Sequence, residues 1–242
     1  MVHTLPDYTT KYKMATIFGQ IDTGELAARL GSIDTFDRRG NVVWMDDFEG
    51  PILKWDVIAV GTGAAVVLDT TYVKNGSQSV KLTTGDAVGN YAEISRSLSL
   101  PVETRLGLEA SFTSTDHLSY YYFSLAIYDG SLEHIARITY KPPTDILEAR
   151  DSPTTSKTIA SALKLYPLEG LFNTIKFVID YSTKKYVRCI LNEVEYPIPT
   201  VTYATATNYT TPYAKLIIHI VTGYNSNQSM YLDNVIFTQN EP

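Results

Sequence analysis

The densest set of side chains able to meet a ligand is Tyr120-Tyr121-Tyr122-Phe123, followed by Tyr128. Exposed aromatic rings stack on the faces of pyranose sugars, while amides and carboxylates beside them bond the hydroxyls. In an extended segment, alternate residues face opposite ways. Tyr120, Tyr122 and Ser124 therefore share one face, and Tyr121, Phe123 and Leu125 share the other. The second set reads as core. Tyr120 and Tyr122, with Tyr140, then line the opposite face as candidate glycan-stacking rings, and Tyr203, Tyr209 and Tyr213 near the Thr-rich stretch extend the set. Tyrosines covering a sheet surface or a subunit interface would give the same pattern, because interfaces are enriched in these rings. Both readings stand at this stage.

Other chemistries find less support. Cleavage of a glycosidic bond with retention needs two carboxylates about 5 Å apart, commonly presented along one strand as Glu-x-Asp-x-x-Glu. That pattern is absent, and Glu193-Val194-Glu195 reads as part of a short turn. His3, His117, His134 and His219 lack the spacing of metal ligands. Neither a Gly-x-Ser-x-Gly elbow nor a phosphate loop occurs. Cys189 alternates with Val187 and Leu191, so it reads as a small buried apolar residue, and as the single cysteine it forms no internal disulfide. On motifs alone the chain reads as a non-enzyme.

The 242 residues, 44% of them hydrophobic and 12% aromatic, suffice for one large core. A net charge of −6 with scattered Lys and Arg argues against a nucleic-acid surface. No run approaches the roughly 18 apolar residues of a membrane span, and the N-terminus lacks the apolar centre of a signal peptide. Residues 1–41 form a separate segment. Pro6, Gly19, Gly24, Gly31 and Gly40 break it into short pieces, leaving one two-turn helix over 23–31 that is too short to hold alone. Leu5, Tyr8, Tyr12, Met14, Ile17, Phe18, Ile21, Ile33 and Phe36 nevertheless give it apolar groups to bury. It reads as an arm laid on its own domain or docked on a neighbouring subunit.

Residues 42–242 read as a second, all-β unit. Thr104 to Phe112 alternates Leu106, Leu108, Ala110 and Phe112 against Arg105, Glu109 and Ser111, the pattern of a half-buried antiparallel strand. Similar runs begin near residues 42, 64, 79, 91, 120, 135, 146, 158, 171, 185, 214 and 230, separated by turn residues such as Asn75-Gly76 and Asp129-Gly130. Strands at such regular spacing with no long helical pattern between them predict two stacked antiparallel sheets.

Asp47-Phe48-Glu49-Gly50 with Trp55, then Gly76-Ser77-Gln78-Ser79-Val80-Lys81-Leu82, and finally Met230-Tyr231-Leu232-Asp233-Asn234-Val235 resemble the jelly-roll pattern of carbohydrate-binding modules. Phe172 to Asp180 followed by Tyr186 is similar to a strand pair of concanavalin-like sandwiches. The resemblance covers roughly residues 45–238 and implies an antiparallel jelly-roll β-sandwich. It also implies a structural calcium between the first and last strands, held by Asp47, Glu49 and Asp233 with carbonyls from Asn75 to Ser77. Such jelly rolls also occur in virion proteins of tailed bacteriophages, and the arm followed by the Asp-Phe-Glu strand resembles those. That implies a structural protein on a virion surface, partnered by copies of itself and by capsid or other assembly subunits. The alternative is an extracellular, free-standing glycan-binding module that uses the surface tyrosines.

Overall fold

The computed structural model describes residues 39–101, 104–114, 118–166, 168–198, 204–207 and 211–242. The short helix expected over 23–31, almost all of the arm, Tyr203 and Tyr209 lie outside them. The regular elements of the described residues are all strands but for one 3₁₀ turn at Pro142–Thr144. In order the strands are β1 (Asn41–Asp46), β2 (Asp56–Val60), β3 (Ala65–Asp69), β4 (Ser79–Thr83), β5 (Tyr91–Ser99), β6 (Arg105–Ser114), β7 (Leu118–Tyr128) and β8 (Leu132–Lys141). There follow β9 (Ile146–Arg150), β10 (Ser156–Ala160), β11 (Asn173–Asp180), β12 (Lys185–Leu191), β13 (Val194–Pro197), β14 (Ala204–Thr207), β15 (Tyr213–Thr222) and β16 (Ser229–Gln239).

These strands form two antiparallel sheets packed face to face, as the alternation predicted, in the jelly-roll sandwich that the resemblance implied. The first sheet runs β13-β12-β11-β6-β16-β4-β3, with β1 sharing the edge of β16 beside β4. The second runs β10-β9-β8-β7-β15-β5-β2, with β14 sharing the edge of β8 beside β9. Inward residues of both sheets make one core. From β6 come Leu106, Leu108, Ala110 and Phe112, and from β7 Tyr121, Phe123, Leu125 and Ile127. Phe112 meets Phe123 across the layers with ring centroids 5.2 Å apart. Burying a side chain of this kind stabilises the fold by about 1.5–3 kcal/mol. Cys189 is buried among them, and burial pushes its thiol far up, so it stays a protonated packing group.

Two expectations change. Glu193-Val194-Glu195 is not a turn: Asn192-Glu193 turns the chain, and β13 begins at Val194. Asn192 takes the left-handed region (φ 55°), which asparagine tolerates. The pairing of Leu191 with Val194 closes a tight two-residue hairpin there, while the Asn192 amide N–H donates to the Thr174 carbonyl of β11 at 2.7 Å. Tyr140 does not share a face with Tyr120 and Tyr122. It pairs directly with Tyr121 across the β7–β8 ladder, so both point into the core, and Tyr140 stacks on Tyr121 at 5.8 Å. Its hydroxyl donates to Asp145 Oδ1 at 2.8 Å.

The first and last strands meet side by side, Asp46 opposite Val235 and Asn41 opposite Gln239. At this seam Trp55 is buried and donates from Nε1 to Asp46 Oδ2 at 3.0 Å, with Trp44 edge-on to it at 5.4 Å. Among the described residues no helix is long and apolar enough to cross a membrane.

Candidate functional site

The outward side of the second sheet brings together polar and aromatic groups from five strands. Three adjacent strands supply its centre. From β7 come Tyr120, Tyr122 and Ser124; from β15, Ile217, His219 and Val221; from β5, Tyr91, Glu93 and Ser95. The register sets His219 between Tyr122 on one side and Glu93 on the other. Flanking Tyr122, β8 contributes Thr139 and Arg137, and β9 contributes Glu148 and Arg150. All are presented by ladders buried on their other side, so the backbone that carries them is rigid.

The central contacts are specific. Tyr120 and Tyr122 stack with centroids 5.6 Å apart at 15°. Tyr91 stacks on His219 at 4.7 Å and 13°, and His219 stands edge-on to Tyr122 at 5.2 Å. His219 Nδ1 lies 2.9 Å from Glu93 Oε2. A neutral imidazole so placed keeps its proton on Nδ1, facing the carboxylate, and leaves Nε2 as an acceptor. The Arg137 guanidinium covers the Tyr122 ring at 4.8 Å, and its Nε donates to Ser124 Oγ at 2.9 Å. Lys141 sits over Tyr120 at 5.8 Å and donates to Glu148 Oε1 at 2.7 Å. Burial pushes the Tyr122 phenol above its ordinary range, only partly opposed by the Arg137 charge, so the hydroxyl holds its proton at neutral pH.

The tyrosine set from the sequence therefore divides. Tyr120 and Tyr122 lie on this face and touch. Tyr213 lies on it further along, stacked on Tyr128 at 4.1 Å. Tyr140 is in the core. Tyr91, Glu93, Arg137, Glu148, Arg150 and His219 escape a reading by motif, since they come from four separate strands. The signal that finds them is strand parity: His219 alternates with the core residues Ile218 and Ile220, and Glu93 with Ala92 and Ile94.

The residues expected to hold calcium meet at the other sheet's seam, but not as a calcium cage. Glu49 Oε1 accepts the amide N–H groups of Ser77 (2.8 Å) and Gln78 (3.1 Å), and Oε2 accepts the Ser77 hydroxyl at 2.6 Å. Asp233 Oδ2 accepts the N–H groups of Lys74 (2.9 Å) and Asn75 (3.1 Å). Asp47 turns its Oδ1 back to the Glu49 amide at 3.2 Å. The loop over 74–78 thus offers N–H donors, whereas calcium needs six to eight oxygens. Among the described residues no group of three or more His, Cys, Asp or Glu is arranged to hold a metal ion. The physical reason is that amide donors already serve the Glu49 and Asp233 carboxylates. The 74–78 loop thus clasps Glu49, just after the first strand, and Asp233 of the last strand by hydrogen bonds.

No family model matches the chain, and no curated protein matches it in sequence. Solved structures do share its fold. An endo-beta-1,4-glucuronan lyase from the fungus Trichoderma reesei superposes with a TM-score of 0.58 at 11% identity, over 83% of this chain and 96% of that one. A cellulose induced protein, Cip1, gives 0.54 at 14% identity, over 81% and 96%. The carbohydrate recognition domain of Emp47p gives 0.50 at 10% identity, over 80% and 92%. The fold is thus that of the concanavalin-like and jelly-roll sandwiches, as the resemblance implied. The expectation of a non-enzyme is overturned: a glucuronan lyase shares this fold, so the absence of glycosidase, metal and phosphate motifs excludes no enzyme.

Proposed function

We propose that the chain engages a polysaccharide on the outward face of its second sheet. The observation that carries this reading is the row of aromatic rings across β5, β15 and β7, from Tyr91 through His219 to Tyr122 and Tyr120, flanked by Arg137, Glu93 and Glu148. Packed against one another, the rings give the sheet surface a row of apolar edges and hydroxyls for a sugar to lie against, and the charged groups beside them fix its orientation. The glucuronan lyase and the Emp47p carbohydrate recognition domain, which share the fold, support a carbohydrate partner.

Affinity electrophoresis through gels holding neutral or acidic polysaccharides tests the reading. Retardation of the native chain is expected in at least one gel. Tyr122→Ala should abolish it, while Tyr140→Phe, altered in the core, should leave it intact. Equal migration of native protein and Tyr122→Ala in every gel would sink the reading.

A role in an assembly, as a virion surface component whose residues 1–41 dock on neighbouring subunits, is a separate proposal. It is favoured by the apolar content of that segment. Light scattering on the full chain and on a version lacking residues 1–41 decides it, since equal subunit numbers in the two would refute docking by the arm.

A further inference from the structure

The arginines of the outward face are arranged for a ligand that carries negative charge. Ile138 pairs with Ala149, which sets Arg137 and Arg150 next to each other across β8 and β9. Arg150 donates to the carbonyls of Ser152 (2.9 Å) and Pro153 (2.7 Å), and Arg137 to Ser124 Oγ. Among the described residues neither guanidinium has a carboxylate in salt-bridge contact, although the chain as a whole is acidic at −6. The pair is also pinned from behind. Tyr186, reaching through the core from β12, accepts the Arg137 N–H at 2.7 Å and donates to the Arg150 carbonyl at 2.8 Å. Two half-buried like charges held together raise the free energy of the empty site, and a planar, bidentate carboxylate relieves it. The row of rings beside them adds the apolar contact that a sugar ring makes, so the carboxylate is one carried by a sugar.

We propose that this face takes a uronic-acid polysaccharide and cleaves it by β-elimination, with Arg137 and Arg150 on the uronate carboxylate, His219 as base and Tyr122 as acid. The proposal rests on the glycan reading of this face. Neutralising the carboxylate acidifies the hydrogen at C5 of the same sugar. His219 Nε2, free because Nδ1–H faces Glu93, takes that proton. The C5–H electron pair becomes the C4=C5 double bond, and the C4–O4 bond breaks. The departing oxygen takes the proton of the Tyr122 hydroxyl and leaves as the new sugar end. The next cycle begins when the His219 proton returns to Tyr122 through solvent, so neither oxidant nor co-reactant is consumed. Tyr91, stacked on His219, holds the imidazole plane.

The full chain is incubated with polyglucuronate, alginate, polygalacturonate and hyaluronan, and the ultraviolet absorbance of the conjugated C4=C5 carboxylate is followed. Absorbance is expected to rise with at least one polymer. Tyr122→Phe and His219→Ala should each slow the rise by about 100-fold or more while melting as the native chain does. Arg137→Gln should lose retardation in the matching acidic gel. Retardation by neutral polysaccharides alone overturns this inference and leaves the glycan reading standing. Binding of an acidic polymer with no absorbance change overturns the elimination. Absence of retardation in every gel overturns both.

Discussion

Replacing Asp233 by Asn isolates the electrostatic cost of the clasp at the strand seam. Asp233 is 0% exposed, and its Oδ1 has no hydrogen-bond partner. Burial pushes its carboxyl up to about 6 from 3.8, against the pull of the Asn75, Lys74 and Asn234 amides, and the Glu49 charge adds to the rise. An acid whose pKa is higher folded than unfolded binds its proton more tightly in the native state, so it opposes folding at high pH. The penalty is complete above about pH 6, shrinks as the pH falls, and is gone below about pH 4. A rise of about two units at about 1.4 kcal/mol per unit makes it about 3 kcal/mol. Asn keeps an oxygen for the Lys74 and Asn75 amides and does not titrate. Its NH₂ lands where Oδ1 had no partner, which costs about 1–3 kcal/mol at every pH. The parent and Asp233→Asn should therefore differ little near neutral pH, and the parent should gain about 3 kcal/mol on the variant as the pH is lowered to about 4. Urea unfolding at a series of pH values, read by tryptophan fluorescence of the nearby Trp55, gives both curves. Curves that stay parallel from neutral to acid would refute the reasoning.

Two other sites give sharp tests. Gly76 has φ +78°, and a Cβ there would collide with the Glu49 carboxylate, so Gly76→Ala should cost about 1–3 kcal/mol. In a Glu49→Ala background the collision is removed and only the backbone strain remains, so a double-mutant cycle by urea unfolding should show a clear coupling between the two; additive effects would contradict the clasp. Near the C-terminus, Glu241 accepts from Lys176 Nζ (2.7 Å), Arg188 (2.6 Å) and Thr238 Oγ1 (2.6 Å), all buried. Glu241→Ala leaves two buried cations short of one carboxylate and should lower stability by about 3–5 kcal/mol. Adding Lys176→Met to that variant should recover part of the loss in the same assay, since an apolar chain has no unmet charge.

The sandwich was legible because its long strands alternate. β6, β7, β15 and β16 are each ten or eleven residues with one face in the core, and their period survives any uncertainty about their ends. The strands that went unread are β2, β13 and β14. β2 has every residue exposed, and β13 has only Tyr196 partly covered, so neither carries an apolar rhythm. Such edge strands are defined by the neighbour they pair with, β5 for β2, which is information a local window does not hold. The clasp was legible in membership and not in chemistry. Asp47, Glu49, Asn75, Ser77 and Asp233 were singled out together, but whether a loop offers carbonyls or amides to a carboxylate depends on its backbone torsions, here on the left-handed Gly76.

The groups of the outward face form no motif along the chain. A catalytic set on one strand repeats at spacing two, which a short pattern can capture. Here β5, β15, β7 and β8 each give one or two groups, and only the register brings Glu93, His219, Tyr122 and Arg137 onto one face. The tyrosines stood out in sequence because Tyr120 and Tyr122 are neighbours on a single strand. His219 stood out least, being one polar residue among Leu216, Ile217, Ile218 and Ile220. Its neighbours give it meaning: an imidazole stacked on Tyr91 and tied to Glu93 is held in one orientation and one tautomer, which a solvated surface histidine is not. Glu93→Ala removes the acceptor that faces Nδ1, so the ring should lose its preference for a proton on that nitrogen, a change read from the nitrogen NMR shifts of the neutral imidazole; unchanged ring shifts would mean that the pair is incidental and that the imidazole owes its place to Tyr91 alone.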